Sequence, residues 1–276
     1  MTRPLALLML CLLPAIAGAQ VDGGPYVSGT LVYAGGVSLK PANRQSFTGS
    51  GTWTKPSGYS TSAMAYIQCW GGGASGGRGT TMSFASGGGG GGYSERWVLL
   101  SSLGSTETVT IGAGGAAKTS QGAGNAGGNT TFGSWLTAYG GSPGGDVQSS
   151  NPPPFGGSPM SQAAKQTSRI DSGGTYYYCG AVGPYEGGSG IGSPCAAPEA
   201  SMANSIYGGG GGGQATTTAA LRAGGSSTNG GAGGAGGSGS GVAGTAGTQP
   251  AGGGGGAVNA NSGAGAAGQC NVMVFN

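Results

Sequence analysis

The sequence contains no histidine and only seven acidic residues among its 276 positions. Without histidine, the chain lacks the commonest general base and the usual proton acceptor of hydrolase triads. The acidic residues are scattered, and no two form a convincing pair for glycoside cleavage. Ser161 and Lys165 could form a Ser–Lys dyad on one helical turn, but a solvated pair in a loop is the simpler interpretation. The sequence therefore predicts a protein that is not an enzyme.

Sites for metals, cofactors and nucleic acids also lack support in the sequence. No two cysteines are closely spaced, so the usual thiolate and imidazole ligand sets are missing. Gly122, Gly124 and Gly127 match a dinucleotide-binding fingerprint, but 70 glycines make chance matches frequent and no strand–helix context follows. The ten basic residues form no block that would attract phosphates. We expect no metal, no cofactor and no nucleic-acid partner.

Long apolar runs are absent after the first residues. The run Leu5–Leu13 is too short to span a bilayer. Arg3 precedes it and the small residues Ala17-Gly18-Ala19 follow, a pattern typical of an export signal cleaved before Gln20. An uncleaved anchor is the alternative. We therefore expect an exported protein, extracellular or on a cell surface, that does not span a membrane.

Glycine is abundant, and its runs are Gly87–Gly92, Gly208–Gly213 and Gly252–Gly256. Glycine loses the most backbone entropy on folding, so an unpartnered run should be a flexible linker. However, Gly230–Ser238 repeats every three residues, the period of a polyproline II-type helix, and the apolar segment Cys270–Phe275 closes the chain. A strand after a long glycine tract implies that the tract returns to a sheet. We predict ordered glycine segments, with the small Ala or Ser edge of the repeat facing outward.

The segments between the glycine tracts have the alternation of β-strands. Candidate strands are 63–70, 93–100, 107–111 and 130–139, rich in β-branched and aromatic residues. We therefore predict an all-β fold, with a small antiparallel β scaffold carrying a polyglycine-II-like helix bundle at one end. The tryptophans stand at alternating strand positions, where the scarce large side chains are needed inside. We expect all four in the core: Trp53, Trp70, Trp97 and Trp135.

Four cysteines remain after the export signal, and an even number in an exported chain favours disulfides. Cys69 ends a strand that enters the first glycine region, and Cys270 opens the last strand at the same end of the sheet. We therefore expect a Cys69–Cys270 disulfide. Cys179 would then pair with Cys195 inside an insertion of distinct composition.

The insertion also contains the densest aromatic cluster in the chain. Tyrosine offers a rigid apolar face and a hydroxyl at low entropic cost, which suits contacts with saccharide or protein surfaces. The predicted binding residues are Tyr176, Tyr177, Tyr178 and Tyr185. Packing of these tyrosines into the sheet or between chains is the alternative.

The resulting organisation has five parts. They are a signal peptide (1–19), a leader (20–44), the first part of a glycine-rich β domain (45–140), the insertion (141–207), and a glycine-rich tract with the terminal strand that completes the domain (208–276).

The sequence 47–56, Phe-Thr-x-Ser-Gly-Thr-Trp-Thr-x-Pro, resembles the opening motif of the glycine-rich domain of bacteriophage tail fibres and tail adhesins. Trp70-Gly71-Gly72-Gly73, Thr130-Thr131-Phe132-Gly133 and the terminal strand also match that family, over residues 45–140 and 208–276. The resemblance implies packed polyglycine II helices whose loops contact a host surface. The implied function is a non-catalytic adhesin whose partner is a host cell-surface receptor, protein or saccharide, with self-assembly or a tail-fibre partner also open. If the protein is phage-encoded, the resemblance implies a location in the virion tail. The alternative function is an exported structural subunit of a cell-surface layer or filament.

Overall fold

The computed structural model describes part of the chain, in two units that divide after Pro41. The described residues are 31–32, 38–39, 42–80, 85–146, 168–170, 176–178, 185, 187–188, 190, 204–215 and 223–276. In the first unit, strands β1 (Leu31–Val32) and β2 (Ser38–Leu39) pair antiparallel. The remaining elements belong to the second unit.

Twelve strands and one short 3-10 helix, Leu100–Ser102, are described in the second unit. The strands are β3 (Asn43–Phe47), β4 (Gly51–Thr54), β5 (Met64–Trp70), β6 (Arg78–Gly79), β7 (Tyr93–Leu99), β8 (Thr106–Thr110), β9 (Thr130–Phe132), β10 (Leu136–Ala138), β11 (Ser168–Ile170), β12 (Tyr176–Tyr178), β13 (Ala257–Val258) and β14 (Gln269–Phe275). Two four-stranded antiparallel sheets dominate. The first has the order β3-β14-β5-β7 and the second the order β10-β9-β8-β4. The predicted all-β antiparallel scaffold is confirmed.

The two sheets share one hydrophobic core. Ile67 and Val272 of the first sheet pack with Trp53, Val109 and Phe132 of the second. Alternation along β5 buries every second side chain, as its pattern predicted, because successive residues of a strand point to opposite faces. The sheets therefore form a small sandwich.

Two sequence expectations about these strands were wrong in detail. The single strand predicted over 130–139 is a hairpin, because Gly133 adopts a φ of +48° and turns the chain between β9 and β10. Trp97 was predicted in the core but is 55% exposed. On β7 the inward position next to it belongs to Val98, so alternation places Trp97 on the outer face.

The other tryptophans are closer to expectation. Trp53 and Trp70 are buried, and Trp135 packs half-buried against the core. Trp97 instead stacks on Tyr66 at 4.5 Å between ring centroids and lies 5.7 Å from Phe275. The outer face of the first sheet thus carries an exposed aromatic patch, which we define as Tyr66, Trp97 and Phe275.

The predicted disulfide between Cys69 and Cys270 is present. The two cysteines are opposite each other in the register of β5 and β14, with Cα atoms 4.1 Å apart, and both are fully buried. The bond therefore ties the strand that enters the first glycine tract to the strand that leaves the last one. Cys179 and Cys195 lie outside the described residues.

The glycine segments connect strand ends at one end of the sandwich. Residue 71 follows β5, residue 92 precedes β7 and residue 268 precedes β14, and the register places these ends together. The segments are neither strands nor α-helices over most of their length. They are ordered by hydrogen bonds to one another.

Segment 71–78 donates its backbone N–H groups to three neighbouring segments in strict rotation. Every third residue, starting at Gly71, donates to segment 86–92. The second set, starting at Gly72, donates to segment 122–128. The third set, starting at Gly73, donates to segment 263–266. Most of these bonds span 2.8–3.1 Å between nitrogen and oxygen. The segment therefore satisfies its backbone polar groups laterally, as buried backbone must.

Side chains are excluded where these segments touch. A Cβ atom added at Gly90 would lie 2.0 Å from the carbonyl oxygen of Gly209, which no side chain could tolerate. In the period-three stretch, Gly231 and Gly234 are buried, whereas Ala232 is exposed and Ala235 partly so. Both alanines are thus more exposed than these two glycines.

Candidate functional site

The four predicted binding tyrosines fall into two groups. Tyr176–Tyr178 form strand β12, which pairs with β11 so that Tyr177 lies opposite Arg169 in the register. The side chains of these three tyrosines lie outside the described residues. Tyr185 is described, and it is 40% exposed.

Tyr185 belongs to a stack of four aromatic rings, which we call the aromatic stack: Trp70, Tyr93, Tyr185 and Tyr207. The rings of Tyr185 and Tyr207 are nearly parallel at 5.1 Å, and those of Tyr207 and Tyr93 at 5.2 Å. Trp70 packs behind Tyr93 at 4.9 Å. The stack therefore extends from the buried end of the first sheet to the exposed ring of Tyr185.

Hydrogen bonds to main-chain carbonyl oxygens hold the two loops of the stack against the sheet. The backbone N–H of Tyr93 donates to the carbonyl oxygen of Tyr185 at 2.9 Å. The indole N–H of Trp70 donates to the carbonyl oxygen of Tyr207 at 2.6 Å. Tyr185 is thus positioned by groups of β5 and β7 rather than by its own loop alone.

A cleft of about 420 Å³ opens beside Tyr185, and we call it the edge cleft. It lies between β7 and β10, which are the edge strands of the two sheets. Its lining residues are Tyr93, Ser94, Glu95, Arg96, Trp135, Leu136, Thr137, Tyr139 and Tyr185. Aromatic and polar groups therefore face the same space.

Two polar side chains of β7 reach the edge cleft from the inner face of the sheet. Ser94 is only 6% exposed, and its hydroxyl oxygen has no hydrogen-bond partner among the described residues. The Arg96 guanidinium donates from Nη1 to the carbonyl oxygen of Trp135 at 2.6 Å and lies 5.7 Å from the centre of the Trp135 ring. A buried hydroxyl without a partner is uncommon and requires an explanation.

Glu95 lies on the opposite face of β7, where tyrosine hydroxyls surround its carboxylate. Tyr93 donates to Glu95 Oε2 at 2.7 Å, and the Tyr66 hydroxyl donates to the same oxygen. Gln68 Nε2 donates to the Tyr93 hydroxyl at 2.6 Å. These bonds tie the aromatic patch to the aromatic stack through one carboxylate.

Burial raises the pKa of Tyr93 far above its ordinary value, because a desolvated phenolate is unfavourable. Hydrogen bonds to Tyr66 and Glu95 raise this pKa further. Burial also raises the pKa of Tyr66. Both hydroxyls therefore keep their protons and continue to donate to Glu95.

A family model described as a glycine-rich domain matches residues 44–274. The chain belongs to this glycine-rich domain family. The match spans both glycine-rich parts of the sequence and the insertion between them. No curated protein matches the chain in a sequence comparison.

Sequence reasoning about this glycine-rich domain missed most of the edge cleft. Ser94, Arg96 and Tyr139 of the cleft were not among the predicted site residues, nor was Tyr207 of the aromatic stack. The sequence did contain a signal for Ser94 and Arg96, because these polar residues alternate with Val98 on the strand face that points to the core. Polar residues at core-facing positions often mark a site, since a buried polar group needs a partner.

The described part of the glycine-rich domain holds no group of three or more His, Cys, Asp or Glu side chains that could bind a metal ion. Within the same residues, no helix has the length and hydropathy needed to cross a bilayer.

Proposed function

We propose that this protein is a non-catalytic adhesin, a receptor-recognition module of the type found in bacteriophage tail fibres. The observation that carries the proposal is Tyr185, an exposed ring on a rigid aromatic stack at the mouth of an open cleft. A ring held in place by β5 and β7 loses little entropy when it binds a partner. Tyr176–Tyr178, predicted as binding residues from the sequence, take part in recognition in this proposal.

The glycine segments act as the rigid support in this proposal, as a bundle of polyglycine II-type helices. The rotation of hydrogen-bond partners with a period of three along 71–78 supports that conformation, because such a helix has three residues per turn. The close backbone contacts at glycines such as Gly90 support it as well. A bundle with glycine at its helix contacts can hold loops in fixed positions without a large hydrophobic core.

Export through the signal at 1–19 places the adhesin outside the cytoplasm in this proposal. The Cys69–Cys270 disulfide is compatible with that location, because disulfides persist in oxidising compartments. N-terminal sequencing of the protein from its native source tests the cleavage. A chain that begins at Gln20 is expected, and an intact Met1 would contradict cleavage of the signal.

Binding of fluorescently labelled protein to a panel of bacterial strains, measured by flow cytometry, tests the adhesin function. We expect saturable binding to some strains, and weaker binding after Tyr177→Ala at a nearly unchanged melting temperature. Tyr185→Ala should also weaken binding, with a loss of stability similar to that of Trp97→Ala, because both side chains stack at the surface. Trp97→Ala is the matched control, because Trp97 is an exposed aromatic residue that does not line the edge cleft. If the loss of binding in each variant only follows the decrease in its melting temperature, the result would argue against recognition by the tyrosines.

A second candidate function, an exported structural subunit, is favoured by the exposed aromatic patch. Trp97 and Phe275 expose apolar surface on the outer face of the first sheet, as Leu99 does beside them. Patches of this kind often mark contacts between chains. Sedimentation velocity distinguishes the candidates: a subunit assembles in a concentration-dependent way that Trp97→Ala weakens, whereas an adhesin binds cells independently of assembly.

A further inference from the structure

We propose that the edge cleft binds a pyranose ring of a cell-surface saccharide, an inference that rests on the adhesin function proposed above. The ligand class follows from the combination of aromatic faces, an unpartnered hydroxyl and a guanidinium in one small cleft. The inference goes beyond the predicted binding tyrosines, because it assigns ligand contacts to Ser94 and Arg96 of β7 and to Trp135 in the turn before β10.

The aromatic walls of the cleft suit the apolar side of a sugar ring. Tyr185 exposes its ring, and Trp135 is half-buried on the opposite strand edge. One face of a pyranose carries mainly C–H groups, which pack on the electron-rich face of an aromatic ring. Because Tyr207 and Tyr93 stack behind Tyr185, the ring is already oriented before a ligand arrives.

The polar groups suit the hydroxyls of the same ring. The Ser94 hydroxyl lacks a partner among the described residues, and a sugar hydroxyl would supply one. Among these residues, the Arg96 guanidinium makes a single hydrogen bond, although it carries five N–H donors. Ser94 and Arg96 alternate on one face of β7, so both reach the ligand from the same wall.

Charge and size separate a saccharide from other ligand classes. Glu95 and Arg96, which carry opposite charges, both line the cleft, so its lining has no net positive charge that would favour a polyanion such as a nucleic acid. The polar lining disfavours a purely apolar ligand, because it would cover the remaining N–H groups of Arg96 and would give the Ser94 hydroxyl no partner. A volume of about 420 Å³ falls within the range of small-molecule sites.

Saturation-transfer difference NMR on the full exported chain tests the proposal. The probes are D-glucose, D-galactose, D-mannose, N-acetyl-D-glucosamine and D-glucuronate, each at millimolar concentration. We expect saturation of the ring protons of at least one probe. Tyr185→Ala should weaken its binding about two- to tenfold through the loss of stacking.

Ser94→Ala separates a binding role from a structural one. It should weaken binding about two- to tenfold while leaving the melting temperature unchanged or slightly higher, because it removes a buried hydroxyl without a partner. Trp97→Ala, the control outside the cleft, should bind like the wild type.

The outcomes of this test are distinct from those of cell binding. Absence of saturation for every probe, or binding unaffected by Tyr185→Ala and Ser94→Ala, would overturn the saccharide site. Retention of cell binding in either case would leave the adhesin function standing with another ligand. Sugar binding without cell binding would instead support the cleft and count against the adhesin.

Discussion

At the scale of single residues, Trp53 and Trp97 show how differently the same side chain is used. Trp53 is fully buried and meets Phe132 edge to face at 5.6 Å. Trp97 stacks on Tyr66 but keeps 55% of its surface exposed. Burial of apolar area is the main favourable term in folding, so the two residues should differ strongly in their contribution to stability.

Trp53→Ala should lower the free energy of unfolding by about 3–5 kcal/mol, because it empties the centre of the sandwich. Trp97→Ala should cost about 1 kcal/mol, the value of its surface stacking. Urea unfolding followed by far-ultraviolet circular dichroism measures both. Similar losses for the two variants would mean that Trp97 is covered in solution, for example by a second chain.

Tyr93 should make the fold sensitive to alkaline pH. Its folded-state pKa is raised above 10.0, so the unfolded chain releases the proton at lower pH than the folded chain. The folded state then binds more protons, and stability should fall as the pH rises above about 10. Urea unfolding at a series of pH values measures this loss.

The Tyr93→Phe variant is the control for that prediction. Phenylalanine keeps the ring of the aromatic stack but removes the titrating hydroxyl, so the alkaline loss of stability should become shallower. The variant should also be less stable near neutral pH, because the hydroxyl bonds to Glu95 and Gln68 are lost. An alkaline slope equal to that of the wild type would assign the effect to other groups.

At the scale of elements, the glycine segments are held by close backbone contact. The N–H of Gly234 donates to the carbonyl oxygen of Gly253 at 2.8 Å, and a Cβ at Gly234 would lie 2.0 Å from the carbonyl oxygen of Thr245. Because the obstacle is backbone, it cannot rotate away. Neighbouring segments would have to move apart and lose their hydrogen bonds.

Gly234→Val should therefore destabilise the protein by more than about 3 kcal/mol, beyond ordinary overpacking. Two matched controls should have little effect. Gly49→Ala adds a methyl group where no heavy atom lies within 4 Å, and Ser238→Ala changes a partly exposed residue on the outward edge of the repeat. Thermal unfolding of the three variants measures the contrast, and equal tolerance at all three positions would indicate a disordered linker.

At the scale of the whole molecule, one disulfide encloses almost the entire glycine-rich domain. Cys69 and Cys270 are 201 residues apart in sequence. In the chain-entropy account, closing so long a loop removes many conformations from the unfolded chain. The bond should therefore stabilise all segments together rather than one strand pair.

Replacing both cysteines, as Cys69→Ala with Cys270→Ala, should lower the free energy of unfolding by about 5 kcal/mol. Urea unfolding of the oxidised wild type and the double variant measures the difference. Non-reducing peptide mapping provides the control, since it should identify Cys69 joined to Cys270. A peptide that joins Cys69 to Cys179 would contradict the pairing.

Much of the scaffold could be predicted from the sequence because its signals are local. Alternation in Met64–Trp70 identified which side chains share a face, and the terminal strand indicated that the last glycine tract returns to a sheet. The pairing of Cys69 with Cys270 followed from the ends of those two strands. The hairpin at Gly133 was missed, because one glycine among seventy gives a weak turn signal.

The sequence by itself determined the long strands β5, β7 and β14, the need for glycine where the glycine segments touch, and the cysteine pair. Only the tertiary structure decided which face of β7 is covered, and hence that Val98 is inside and Trp97 outside. It also decided that Tyr207 meets Tyr93 and that Ser94 faces a cleft. The physical reason is that a period of two specifies which residues share a face. What covers that face depends on segments distant in sequence.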